Sequence, residues 1–142
     1  MESMSIQLSE AARDTAGVLL LSVAAVAYGG TFVLRVARGR APATDFQQRF
    51  YRAGHAHAGV LVTLGLVGVL LSEATALDGV AASLARSGIP AAAILIPAGF
   101  FLSAAGPGRT QANRAIALLW LGVAVLVAGV VTLGVGLLTA QA

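Results

Sequence analysis

Long apolar runs and short polar breaks alternate along the chain. Four runs, at about 15–36, 53–76, 80–105 and 112–140, each approach or exceed the ~20 residues that a helix needs to cross a ~30 Å hydrocarbon layer. None alternates with period two, and an open sheet in lipid would leave backbone groups unpaired, so the runs predict helices rather than strands. The expected fold class is all-α: four transmembrane helices forming a four-helix membrane bundle, with residues 1–142 as a single membrane domain and no soluble domain.

The polar breaks refine this picture. In "APATDFQQRFYRAG" a proline is followed by Thr44, with Gln47 three residues later, which is the pattern of a capping box at a helix start. At 100° per residue, Phe46, Phe50 and Ala53 share a face with His57, while Gln48, Tyr51 and Arg52 share the other with His55. The spacing predicts an amphipathic interfacial segment over about 44–52 that leads into the second span.

Small residues mark candidate packing faces. In the second span Gly54, Ala58, Leu61, Gly65, Gly68 and Ser72 recur at alternating spacings of four and three. In the fourth, Ala115, Gly122, Gly129 and Gly136 fall on one stripe. Such stripes let a second helix backbone approach closely, which supplies much of the attraction between helices in lipid. In the third span Pro90 is expected in the first turns, whereas Pro97 falls mid-span, removes a backbone donor and predicts a kink.

Composition supports a membrane chain: 58% of residues are hydrophobic and 11% charged, too few charges for a water-facing surface. The pI of 10.6 does not indicate nucleic acid, and no nucleic-acid partner is expected, because every basic residue is an arginine and most lie beside the apolar runs. Arg35, Arg38, Arg40, Arg49 and Arg52 surround the first connection against Asp45 alone, and the third carries Arg109 and Arg114. The second carries Glu73, Asp78 and Arg86, and Glu2, Glu10 and Asp14 precede the first span against Arg13. By the positive-inside rule both termini are expected outside. The acidic leader and long first run predict an uncleaved first span. The Ala, Gly and Arg bias without lysine points by association to a bacterial inner membrane, and the absence of cysteine excludes thiol chemistry.

Candidate chemistry rests on "RFYRAGHAHAGVLV", which holds both histidines. No phosphate loop, zinc-protease motif, nucleophile elbow or paired intramembrane carboxylates accompany it. His55 and His57 stand about 200° apart on a helix, so they serve two sides rather than chelate one ion. This segment resembles the His-x-His helix of haem-copper oxidase and nitric oxide reductase main subunits, and small four-helix membrane proteins with a His-x-His helix start. The resemblance covers about a dozen residues. It implies haem b or a metal as cofactor, held by His57 and His55. Those subunits use further histidines, and here there are none; Met1 and Met4 are predicted on the opposite side. Oxygen or nitric oxide reduction by this chain alone is therefore excluded.

What survives of that reading is a b-type haem or metal shared between two copies, each donating His57, or held by one copy's histidine together with a partner. The bland reading packs His57 beside Phe46 and Phe50 and lets His55 hydrogen-bond Tyr51 or water. A proton path or carrier would draw on Ser22, Thr31, Thr63, Ser103, Thr132 and Glu73. The expected function is that of an accessory or scaffold subunit without catalytic activity of its own. Its partners are the lipid bilayer and a homo-oligomer or larger membrane complex. The alternatives are the haem b or metal binder and an oligomeric transporter or channel.

Overall fold

A computed structural model describes residues 7–140 of the chain. The fold is all-α, with helices α1 (Glu10–Ala37), α2 (Asp45–Ser72), α3 (Gly79–Ala104) and α4 (Ile116–Thr139) running up and down. Each is long and apolar enough to cross a membrane, and together they give the chain the character of a multi-pass membrane protein.

The helix ends follow local chemistry. The Ser9 hydroxyl accepts from the Ala12 N–H (3.2 Å) and caps α1. At the other end of α1, the Arg40 N–H reaches Arg35 O and the Gly39 N–H reaches Val36 O, a Schellman closure that requires the positive φ of Gly39 (+65°). The Thr44–Gln47 capping box is present: the Thr44 hydroxyl accepts from the Gln47 N–H, and the Gln47 side-chain oxygen accepts from the Thr44 N–H. From there α2 runs without a break through the predicted interfacial segment into the apolar run.

Two placements differ from the sequence reading. Arg86 is not in the second connection but inside α3, because that helix already begins at Gly79. For the same reason Pro90 sits in the helix interior rather than in the first turns, and α3 stays helical through both Pro90 and Pro97. Pro97 is buried within the helix.

The centre of the fold is α3, packed between α2 and α4; α1 rests mainly on α2, and among the described residues α1 does not contact α4. Half of the apolar window of α3 is buried, against 6% for α1. Ile89 of α3 and Val69 of α2 are among the most deeply buried side chains. Two close approaches join α3 and α4: at Gly99, where a Cβ would run into the Leu119 backbone, and at Gly88, where it would lie 2.7 Å from Gly129 Cα. Along the same face Gly122 meets Ile96 and Leu95, and Gly136 meets Leu77 and Thr75 of the α2–α3 connection. On α2, Gly54 lies against Phe100 and Phe101, Gly68 against Ile89 and Leu133, and Gly65 between Leu19 of α1 and Pro90 of α3.

The arginine-rich connections meet at one end and are tied together by polar side chains. Gln47 is buried, and its amide donates to Ala104 O (2.9 Å) and Gly106 O (2.7 Å). The Tyr51 hydroxyl also donates to Ala104 O (3.3 Å), and Asn113 Nδ2 donates to Leu102 O (3.0 Å). The Thr44 hydroxyl donates to Arg109 O, joining the two loops directly. The bonds to Leu102 O and Ala104 O satisfy carbonyls that α3 leaves open at its C-terminus, and those to Gly106 O and Arg109 O hold the third connection. At the opposite end Glu73 accepts from the Ser9 N–H (2.7 Å) and hydroxyl (3.0 Å), fastening the start of α1 to the end of α2.

Candidate functional site

Because α1 touches α3 only slightly, the two helices diverge over α2 and leave a cleft of about 490 Å³. Its α1 wall includes Thr15, Ser22, Ala25 and Gly29, and its α3 wall Ser87, Pro90, Ala91 and Pro97. Ala58 and Val62 of α2 form the floor, and His55 and Phe101 stand at one end. The walls are almost wholly apolar, and the small side chains on both sides keep the space open. Two of the few polar groups are already committed, since Thr15 donates to Ala11 O (2.7 Å) and Ser22 to Leu19 O (2.7 Å).

His55 is half-buried and reaches toward α1, where a Cβ on Gly30 would lie 3.0 Å from His55 Nε2. Glycine at 30 is what admits the imidazole. The expected bond to Tyr51 is absent, because the Tyr51 hydroxyl is directed to Ala104 O and its ring is held between Phe32 (5.1 Å, edge-on) and Phe101 (5.6 Å, stacked). Among the described residues neither ring nitrogen of His55 has a hydrogen-bond partner in the chain.

His57 points elsewhere. It is exposed on the outer side of α2, with its ring 5.1 Å from Phe100. Phe46 and Phe50 pack tilted on each other (4.2 Å) and Phe50 meets Phe100 edge-on (5.4 Å), while the ring against which His57 lies is Phe100 of α3. His57 Nδ1 lies 2.7 Å from Ala53 O. A carbonyl only accepts, so this bond places the proton on Nδ1 and leaves the Nε2 lone pair free.

The remaining candidates are structural in placement. Gly54, Gly65, Gly68, Gly122, Gly129 and Gly136 are buried at helix contacts, and Ala58 is half-buried in the cleft floor. Thr31, Thr63 and Ser103 donate to carbonyls of their own helices, and Glu73 is engaged by Ser9. Among the described residues no three His, Asp or Glu side chains converge on one point.

Sequence reasoning did not single out Gln47 beyond its cap, nor the small face of α3. That face was readable: Ala85, Gly88, Ala92, Gly99 and Ser103 recur at helical spacing and are all buried. The cleft had no such signal, since it arises from the divergence of two helices. Comparison with protein-family models, curated proteins and solved structures found no match, so the site is read from its own geometry.

Proposed function

We propose that this chain is an accessory or scaffold subunit of a bacterial inner membrane, without catalytic activity of its own, with both termini outside and with α1 as its docking helix. One observation carries the reading. Gly17, Ala24 and Thr31 recur every seven residues on α1 and are all exposed, and a Cβ on Gly17 would meet nothing within 4 Å. Comparable stripes on α2 and α4 are covered largely by α3, and the stripe on α1 is left exposed among the described residues. A second copy or a helix of a larger membrane complex would complete it in the way small residues promote helix contact in lipid. The polar side chains of the spans support the same reading, because Gln47, Ser22, Thr63 and Ser103 all hold the fold's own carbonyls.

The test is the mass of the assembly extracted in mild detergent. Ala24→Leu adds bulk at an exposed position, so it should lower the assembled mass while leaving the melting temperature of the isolated chain unchanged. An unaltered mass would remove α1 as the docking helix.

A second reading is favoured by His57. An Nδ1–H held by a backbone carbonyl orients an imidazole and raises its basicity toward a metal at Nε2. The imidazole is exposed on the outer side of α2, about one turn inside the start of the apolar run, where a second copy can reach it. One chain offers one such nitrogen on this face, so haem b would take His57 from each of two copies. Such a group supplies one-electron transfer. A Soret band lost in His57→Ala supports this reading; a colourless, metal-free preparation removes it.

A further inference from the structure

The cleft between α1 and α3 has a shape that narrows what can fill it. It extends from Thr15 to Gly29 along α1, about 20 Å at 1.5 Å per residue. With the margin beside the walls included, the free space is about 1140 Å³, which over that length averages a cross-section of about 55 Å². A helix with side chains, 10–12 Å across, covers about 80–110 Å². The space is therefore narrower than a helix and suits extended chain, which separates this site from the docking face of α1. Its occupant is apolar over nearly the whole length, because the walls are mainly alanine, glycine, proline and larger aliphatic side chains, and the Thr15 and Ser22 hydroxyls are turned to carbonyls of α1.

One end is different. There His55 presents an imidazole with no hydrogen-bond partner among the described residues, close to Phe101, whose ring stacks on Tyr51, and one turn inside Tyr51 and Arg52. A neutral imidazole donates through one nitrogen and accepts through the other, so it can bond either a carbonyl or a hydroxyl. An apolar pocket of several hundred Å³ with one convergent polar group is the usual form of a small-molecule site.

We propose that this cleft binds a single-chain lipid whose neutral head ring carries a carbonyl or hydroxyl oxygen, as in the quinone and quinol class. The head lies at His55 and Phe101, hydrogen-bonded to the imidazole, and the isoprenoid or alkyl tail lies between α1 and α3. The site is independent of whether α1 docks to another protein.

The test uses the full chain in detergent micelles, labelled with ¹⁵N-histidine, and decylubiquinone as the probe. His57 lies on the opposite side of α2 and serves as the internal reference. The expected result is a saturable shift of the His55 imidazole resonances with those of His57 unmoved. His55→Leu keeps the apolar shape and removes one hydrogen bond, so retention of the quinone in ultrafiltration should weaken about fivefold. Gly29→Leu should abolish it by filling the cleft: nothing lies within 4 Å of a Cβ at Gly29, so the helix accepts the side chain. Ala25→Phe, at an exposed position on the mouth, is the second blocking variant. No saturable shift at His55 overturns the proposal. So does an equal shift with dodecane, or displacement by a two-chain phospholipid at equal mole fraction, either of which makes the cleft a slot for bulk lipid. Loss of the assembled mass in Ala24→Leu with quinone binding retained would separate the docking face from this site.

Discussion

Replacing Gly88 with alanine tests the packing on which the fold rests. The added methyl carbon would lie 2.7 Å from Gly129 Cα and 3.3 Å from both Gly129 N and Val125 O. These are backbone atoms and have no rotamer into which to retreat. Ordinary carbon contacts lie at about 3.5–4.0 Å, so α3 and α4 must separate locally by about 1 Å. A gap of that size forfeits roughly a quarter to a half of each dispersion contact, each worth about 0.1–0.2 kcal/mol. Over a few tens of atom pairs the loss is about 1–3 kcal/mol, in the range of overpacked cores. Against it stands the helix preference of alanine over glycine, up to about 1 kcal/mol. Gly134→Ala isolates that second effect, because a Cβ there meets nothing within 4 Å. Unfolding in mixed micelles, driven by a denaturing detergent and followed by Trp120, the single tryptophan and a residue of α4, measures both variants. Gly88→Ala should be less stable than Gly134→Ala by about 1–3 kcal/mol. Agreement within about 0.5 kcal/mol would refute close backbone contact as the basis of the α3–α4 pair.

Gln47→Leu removes two bonds to carbonyls at the end of α3 together with half of the capping box, and should cost about 2–4 kcal/mol in the same unfolding measurement. Gly39→Ala forces a Cβ into left-handed backbone at the end of α1 and should cost about 1 kcal/mol, without changing the assembled mass. A cysteine introduced at Arg40 should react with a membrane-impermeant thiol reagent only from the cytoplasmic side, and one placed after Ala142 only from outside. The reverse pattern would overturn the orientation.

The aromatic end of α2 shows how far the sequence reaches toward the site. That His55 and His57 look in different directions follows from two residues at 100° each and needs no partner. What each histidine meets does not follow. Phe100 is the ring beside His57, and Gly30 is the gap that admits His55, and both belong to other helices. The glycines of α2 and α4 were visible as stripes; that Gly129 meets Gly88, and Gly68 meets Ile89, required α3 in place.

By itself the sequence determined that this chain makes four helices and where the polar ends of those helices fall. A run of about twenty apolar residues has only one way to satisfy its backbone in lipid, and capping residues such as Thr44 mark its start. The tertiary structure alone decided that α3 is the centre, that α1 stands almost outside the packed core, and that a cleft opens beside His55. The reason is the solvent. In water an inward face is apolar and an outward face polar, so periodicity reveals which is which. In lipid both faces are apolar, and only the fit of one helix surface against another chooses between them.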